Sequence, residues 1–135
     1  MIGAMLMLMS TSALAQPAAP AAKSSRNFVA KFKKIADDCK NPTVKFGVTQ
    51  VTISALRKKR GRMSLGPGLL LKGSLAGARF SMTTRRGNAV ITASGSVRKG
   101  VVSMLVIAEH YRGKTPVCTQ TWNAKGKRGK LRRAP

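Results

Sequence analysis

The feature that most constrains this chain is a change of hydrophobic period after Pro42. Apolar residues alternate with polar ones in residues 44–48 and again in 51–55, and short Gly-rich and basic segments separate the later apolar runs. A period of two is typical of half-buried β-strands, because successive side chains of a strand point to opposite faces. The pattern predicts an antiparallel meander of about six strands, either as an open sheet or as a small barrel.

The turns of this meander are predicted from glycine and basic residues. The clearest ones lie at residues 57–62, 85–88, 98–100 and 112–114. At least one more reversal is needed between Met63 and Thr84. Three Gly-containing sites compete for it, at residues 66–68, 72–73 and 76–77.

Residues 25–40 precede the alternating region and have a different pattern. Phe28, Phe32, Ile35 and Cys39 recur at spacings of four, three and four, which would place them on one face of a helix. A proline soon after this run would end the helix. The sequence therefore predicts one N-terminal helix and a mainly β, α+β fold in which the helix is tied to the last strand.

The tie is a predicted disulfide between the two cysteines, Cys39 and Cys118. Closing a loop of about 80 residues would stabilise the fold by roughly 4–5 kcal/mol in the chain-entropy treatment. The alternative is two separate buried thiols, and a disulfide would favour an oxidising compartment. Two thiols and the single histidine do not complete a tetrahedral metal site, so neither a metal nor another cofactor is predicted.

The N-terminal residues indicate export. A short apolar run at residues 2–9 is followed by Ala13, Leu14 and Ala15, which match the small-x-small pattern of a signal-peptidase site. The alternative is an apolar helix retained in a cytoplasmic protein. We expect a periplasmic or secreted protein of the bacterial envelope. Its predicted parts are a signal peptide (1–15), a flexible Ala/Pro linker (16–24), a single globular domain (25–123) and a disordered basic tail (124–135).

Side chains suited to catalysis are scarce. The chain has three carboxylates, and Asp37 and Asp38 are adjacent, which is a poor arrangement for an acid/base pair on a helix. Glu109 and His110 are neighbours on a predicted strand and would face opposite ways. No nucleophile elbow, phosphate-binding loop or His-Glu-x-x-His motif is present. We therefore predict a protein that is not an enzyme.

Charge is the strongest chemical signal. Lys and Arg number 26 against three Asp and Glu, a net charge of +23, and solubility alone does not favour such an imbalance. If residues 63–84 contain a single reversal, the turns at 57–62, 85–88 and 112–114 share one end of the sheet. That end would form one anion-binding rim made of Arg57, Lys58, Lys59, Arg60, Arg62, Arg85, Arg86, Arg112 and Lys114. The alternative is a solvated surface without a binding role.

The predicted partner is an anionic polymer or membrane surface, such as lipopolysaccharide, an anionic lipid or an acidic polysaccharide. Arginine forks suit phosphate and sulfate groups. Aromatic residues, which nucleic-acid readers use for stacking, are only 4% of the chain, so non-specific nucleic-acid binding is an alternative rather than the leading prediction. A further alternative is a structural or protein-partner module that docks an acidic protein.

Overall fold

The computed structural model describes residues 24–40 and 44–130. The predicted signal peptide, almost all of the predicted linker and the end of the predicted tail lie outside the described residues. The described chain forms eight antiparallel strands that close into one barrel, with β1 paired to both β2 and β8. The strands are β1 (Ser24–Asp37), β2 (Val48–Ala55), β3 (Arg60–Leu65), β4 (Leu70–Ala76), β5 (Arg79–Arg86), β6 (Ala89–Arg98), β7 (Val101–Arg112) and β8 (Thr115–Arg128).

The mainly β, antiparallel architecture is confirmed, in its barrel form with eight strands rather than about six. The predicted N-terminal helix is wrong, because residues 24–37 form β1. Phe28 and Ala30 point into the core, which is the two-residue period of a strand. A spacing of four is even, so the pair Phe28 and Phe32 fits one face of a strand as well as one face of a helix. Ile35 breaks the strand pattern, and it is half exposed just where the β1–β8 register shifts.

Closure of the barrel explains why this segment is a strand. A sheet of β2 to β8 would leave two edges with unpaired backbone groups, and β1 pairs with both of them. The interior is filled by large apolar side chains, among them Trp122, Phe28 and Ile53. Gly95 lets two strands approach closely, since a Cβ there would overlap the carbonyl oxygen of Ser103.

The segment 63–84 contains two reversals, at residues 66–69 and 77–78. In an up-and-down barrel, each reversal moves the chain to the other end. We call the end with the turns at 56–59, 77–78 and 99–100 the charged end; β1 begins and β8 ends there. The opposite end, with the turns at 66–69, 87–88 and 113–114 and the connection between β1 and β2, we call the mouth end.

This count overturns the single predicted rim. Arg57, Lys58, Lys59 and Arg60 lie at the charged end, whereas the turns after β5 and β7 lie at the mouth end. Of the nine residues predicted to form one site, four therefore lie at the charged end, four at the mouth end, and Arg62 on the barrel wall between them. The prediction depended on one reversal between β3 and β5, and a second reversal inverts the position of every turn that follows.

The disulfide is confirmed. Cys39 and Cys118 are joined with their Cα atoms 5.1 Å apart, and this links the residues just after β1 to the last strand, as a strand-to-strand connection rather than a helix-to-strand one. Two predicted boundaries are also corrected. Ser24 belongs to β1 rather than to the linker, and residues 124–128, predicted as part of a disordered tail, complete β8 with Ala124 buried. The tail residues pair because β8 has partners on both sides.

Candidate anion-binding sites at the two ends of the barrel

The charged end concentrates basic side chains without any acidic one among the described residues. All three carboxylates of the chain, Asp37, Asp38 and Glu109, lie near the mouth end instead. The basic residues of the charged end are Arg26, Arg57, Lys58, Lys59, Arg60, Arg79, Arg98, Lys99, Lys127, Arg128 and Lys130, and all but Arg26 are exposed. A surface of one sign of charge creates a field that attracts anions.

Two turns of the charged end hold lysines in the left-handed backbone region. Lys58 and Lys59 have φ of 58° and 57°, and the Arg60 amide donates a hydrogen bond to the Arg57 carbonyl, which together define a type I′ turn. Lys99 has a φ of 51°. Such turns usually take Asn-Gly or Gly-Gly, because a residue with a Cβ costs about 1–2 kcal/mol in this region. Backbone strain of this kind concentrates at functional sites.

The charged end exposes no aromatic ring for base stacking. All six aromatic residues are described, and the two whose rings lie nearest this half of the interior, Phe28 and Phe80, are buried. The others lie toward the mouth end. Phe32 stacks on Phe46 with ring centroids 4.5 Å apart, and Phe46 meets Trp122 edge to face at 4.9 Å. The charged end therefore offers charge and hydrogen-bond donors to a ligand, but no stacking platform.

The mouth end opens into a cup of about 820 Å³. Leu65, Leu69 and Ile91 line it and are buried, so part of its wall is apolar. Polar groups also line it, among them those of Asn88, His110 and Tyr111. Arg86 and Arg112 also line it and are exposed. Each arginine lies an even number of residues from the inward-facing residues of its strand, so it is on the same face as they are. Two guanidinium groups are thereby brought to the edge of the cup.

A hydrogen-bonded chain crosses the β1–β8 side of the mouth end. The side-chain amide of the buried Gln120 forms hydrogen bonds through both its oxygen and its nitrogen. Its Oε1 lies 2.8 Å from Nε2 of His110. Its Nε2 donates to Oδ2 of Asp37 at 3.2 Å and to the Val44 carbonyl at 3.4 Å. With acceptors on the amide nitrogen side, Oε1 faces His110 and accepts its Nε2–H. Nε2 of His110 is thus the donor of this hydrogen bond.

Asp37 accepts further hydrogen bonds from its own strand and from the connection that follows it. Lys34 donates to its Oδ2 at 2.7 Å, and the Cys39 amide donates to its Oδ1 at 2.8 Å. The Lys34 hydrogen bond, followed by that of the Cys39 amide, holds the pKa of Asp37 below its ordinary value of 3.8. Asp38 accepts from the Thr119 amide at 2.6 Å. Both aspartates therefore brace β1 against β8, a structural role that the sequence pattern did not reveal.

His110 also lies beside the disulfide. One of its ring nitrogens and the sulfurs of Cys39 and Cys118 lie within 4.8 Å of one another. Both sulfurs are bonded to each other, so this cluster offers a metal ion only one free nitrogen donor. That is short of the three or four ligands that a protein zinc site needs.

Four large apolar side chains are exposed among the described residues, and all of them belong to the mouth end. They are Ile35, Val48, Leu70 and Val117, each about half exposed at the end of β1 or the beginning of β2, β4 or β8. Apolar groups gathered at one surface indicate contact with an apolar partner. The two ends of the barrel thus differ in hydrophobicity as well as in charge.

The structure divides the predicted site residues into three groups. Arg57, Lys58, Lys59 and Arg60 share the charged end, whereas Arg85, Arg86, Arg112 and Lys114 surround the mouth. Arg62 belongs to neither group, because it lies on the barrel wall opposite Lys72 of β4. The predicted site lacked seven residues of the charged end and one at the cup. They are Arg26, Arg79, Arg98, Lys99, Lys127, Arg128 and Lys130 at the charged end, and Lys45 at the cup. Only the closure of β1 onto β8 and the number of reversals would have assigned them.

Comparison with known proteins adds nothing to these observations. No protein family, no curated protein and no solved structure matches this chain. Within the part of the chain that the structure describes, no helix has the length and apolarity to cross a membrane. The disulfide is compatible with an oxidising extracellular compartment.

Proposed function

We propose that this protein is an exported, non-catalytic binding module whose charged end takes an anionic polymer of the cell envelope or its surroundings, such as lipopolysaccharide, an anionic lipid surface or an acidic polysaccharide. The observation that carries this proposal is the set of eleven basic residues at the charged end, with no carboxylate beside them among the described residues. The lysines held at left-handed turn positions support it, because a turn built for stability alone would carry glycine or asparagine there.

The physics of this end favours a polymer over a small anion. The basic side chains are spread over three turns and two chain segments, and they are exposed rather than gathered in a pocket. Each exposed ion pair contributes little, about 0–1 kcal/mol, so affinity must come from many simultaneous contacts. A polyanion supplies these contacts and releases bound counterions as it binds, which makes the affinity fall with salt.

The alternatives differ in what they would require of the charged end. Nucleic acid remains an alternative through backbone contacts, but the absence of an exposed ring at this end disfavours base stacking. An acidic protein partner would require a single saturable complex with little response to lipid or polysaccharide. Measuring binding to a polysaccharide, to lipopolysaccharide and to DNA therefore distinguishes both alternatives from the proposal.

The test compares two variants that each lose four positive charges. The charged-end variant carries Arg57→Ser, Arg60→Ser, Arg79→Ser and Arg98→Ser, and the mouth variant carries Arg85→Ser, Arg86→Ser, Arg112→Ser and Lys114→Ser. Binding to heparin, to lipopolysaccharide and to duplex DNA is measured from 50 to 300 mM salt. All eight positions are exposed, so both variants should fold.

We expect the charged-end variant to flatten the slope of log affinity against log salt by about three, because four lost contacts release fewer counterions. The mouth variant should change the slope by less than about one. An equal decrease of the salt slope in the two variants would show that net charge alone drives binding. Preference for DNA over both heparin and lipopolysaccharide would replace the proposal by its nucleic-acid alternative.

A further inference from the structure

We propose that the cup at the mouth end binds one single-chain anionic amphiphile, with its acyl chain inside the cup and its carboxylate or phosphate headgroup held by Arg86 and Arg112. This site uses none of the residues of the charged end, so the inference stands independently of the proposed function. A small antiparallel barrel that keeps one end open is a common container for one apolar ligand.

The first argument is the shape and lining of the cup. Its volume of about 820 Å³ lies within the range of ligand pockets, roughly 300–1,000 Å³. The buried side chains of Leu65, Leu69 and Ile91 supply an apolar wall, and Phe46 forms part of the same lining. An acyl chain that enters this hollow leaves water for apolar surface, which is favourable by about 25 cal/mol for each Å² buried.

The second argument is the charge at the edge of the cup. Arg86 lies at the end of β5, level with His110 of β7 across β6, and Arg112 lies two residues beyond His110. Two strand spacings combined with this offset put the two arginine backbones roughly 12 Å apart. Arginine side chains can span that distance and converge on one headgroup. Lys45 adds a third cation to the lining. Within the described chain, neither arginine has a carboxylate within salt-bridge distance.

The third argument is that none of the three carboxylates lines the cup. Asp37 is held by Lys34 and Gln120, and Asp38 by the Thr119 amide, on the β1–β8 side of the mouth end. Glu109 lies on β7 and is not part of the lining either. The cup therefore combines buried apolar side chains with a cationic edge, which is the complement of an anionic amphiphile and not of a cationic one.

The fourth argument is the apolar outer edge of the mouth. Ile35, Val48, Leu70 and Val117 are the large apolar side chains that the described residues expose, and all lie around this end. They would contact the apolar phase or particle from which such a ligand is taken. At the charged end no comparable side chain is exposed among the described residues.

The experiment uses the full chain and 11-(dansylamino)undecanoic acid, whose fluorescence rises in an apolar site. We expect saturable binding of one probe per barrel, displaced by dodecanoate and by dodecyl phosphate, while dodecanol and butyrate compete at least about tenfold more weakly. The tighter of the two anionic competitors identifies the headgroup, carboxylate or phosphate. Absence of saturable binding, or equal competition by dodecanol, would overturn the proposal.

Two variants assign the site. Arg86→Ser with Arg112→Ser should weaken probe binding about fivefold or more while heparin binding is retained. The matched control, Arg62→Ser with Lys72→Ser, removes two charges from the barrel wall and should leave probe binding unchanged. Ala89→Trp should block the cup without changing charge, since Ala89 lines it. Equal loss in the control pair, or full binding in Ala89→Trp, would refute the site.

Discussion

The two ends of this barrel are closed by similar short turns, but only the charged end places lysines in left-handed backbone positions. At the mouth end the left-handed positions after β5 and β7 are taken by Gly87 and Gly113, with φ of 61° and 63°. At the charged end glycine takes such positions too, at residues 77 and 100, but Lys58, Lys59 and Lys99 occupy three others with φ of 51° to 58°. Glycine adopts this region at no steric cost, whereas lysine does not. Charge is therefore kept at one end of the barrel against the conformational preference of its turns.

The ends also differ in what holds them together. The mouth end contains the disulfide, the only ion pair of the described residues and the Gln120 hydrogen bonds. These contacts involve β1, β7, β8 and the connection that follows β1. The charged end is held by backbone pairing, by the buried side chains beneath it and by one hydrogen bond between the hydroxyl groups of Ser25 and Ser54. Its exposed cations repel one another, since none of them has a described acidic partner there.

The largest expected effect comes from removing the disulfide, through Cys39→Ser with Cys118→Ser. Because the disulfide closes a loop of 79 residues, we expect a loss of about 2–5 kcal/mol in the free energy of unfolding by urea. Hydrogen exchange should accelerate first in residues 34–40 and 116–120 at the mouth end. Faster exchange at the charged end first, with the mouth end unchanged, would contradict the division of the barrel into two differently supported ends.

A smaller effect is expected from replacing the strained lysines by the preferred residues of a type I′ turn. Lys58→Asn with Lys59→Gly should raise the free energy of unfolding by about 1 kcal/mol, because both positions then tolerate a positive φ. The same change should weaken heparin binding. The comparison pair is Arg85→Asn with Lys114→Asn. It removes two charges at the mouth end, but neither residue has a positive φ, so no backbone strain is removed. Stabilisation by this pair as well would assign the gain to reduced charge repulsion.

The smallest effect is a pH dependence that belongs to the mouth end alone. The pKa of Asp37 is lowered in the folded state by the Lys34 hydrogen bond, so its ionised form favours folding above its ordinary value of 3.8. This contribution is lost as the pH falls below that value toward the lowered pKa. Asp37→Asn should therefore be less stable than the unmodified chain at pH 6 and approach it at pH 2–3, as followed by thermal unfolding. An unchanged difference across that range would exclude the role of Asp37.

Much of the fold was predictable because it depends on local pattern. The alternation in residues 44–122 predicted antiparallel strands, and with two cysteines only one intramolecular pairing was possible. The first strand was not predictable in the same way. Phe28 and Phe32 are four residues apart, which suits a helix and a strand equally, and only pairing with two distant partners decides between them.

The candidate sites show the same limit more strongly. Each basic turn was visible in the sequence, but the end of the barrel to which it belongs depends on how many reversals precede it. One additional turn between β3 and β5 separated Arg57 from Arg86 and joined it with Arg98. No single residue near those turns carries that information.

The sequence by itself determined that this chain is basic, poor in reactive side chains and built of alternating strands that one disulfide can link, because composition and period are properties of neighbouring residues. The tertiary structure alone decided that residues 24–37 complete a closed barrel, that the cations divide between two ends, and that a cup lies at one of them. The physical reason is that closure and register are set by backbone hydrogen bonds between segments far apart in the chain, as when β1 pairs with β8.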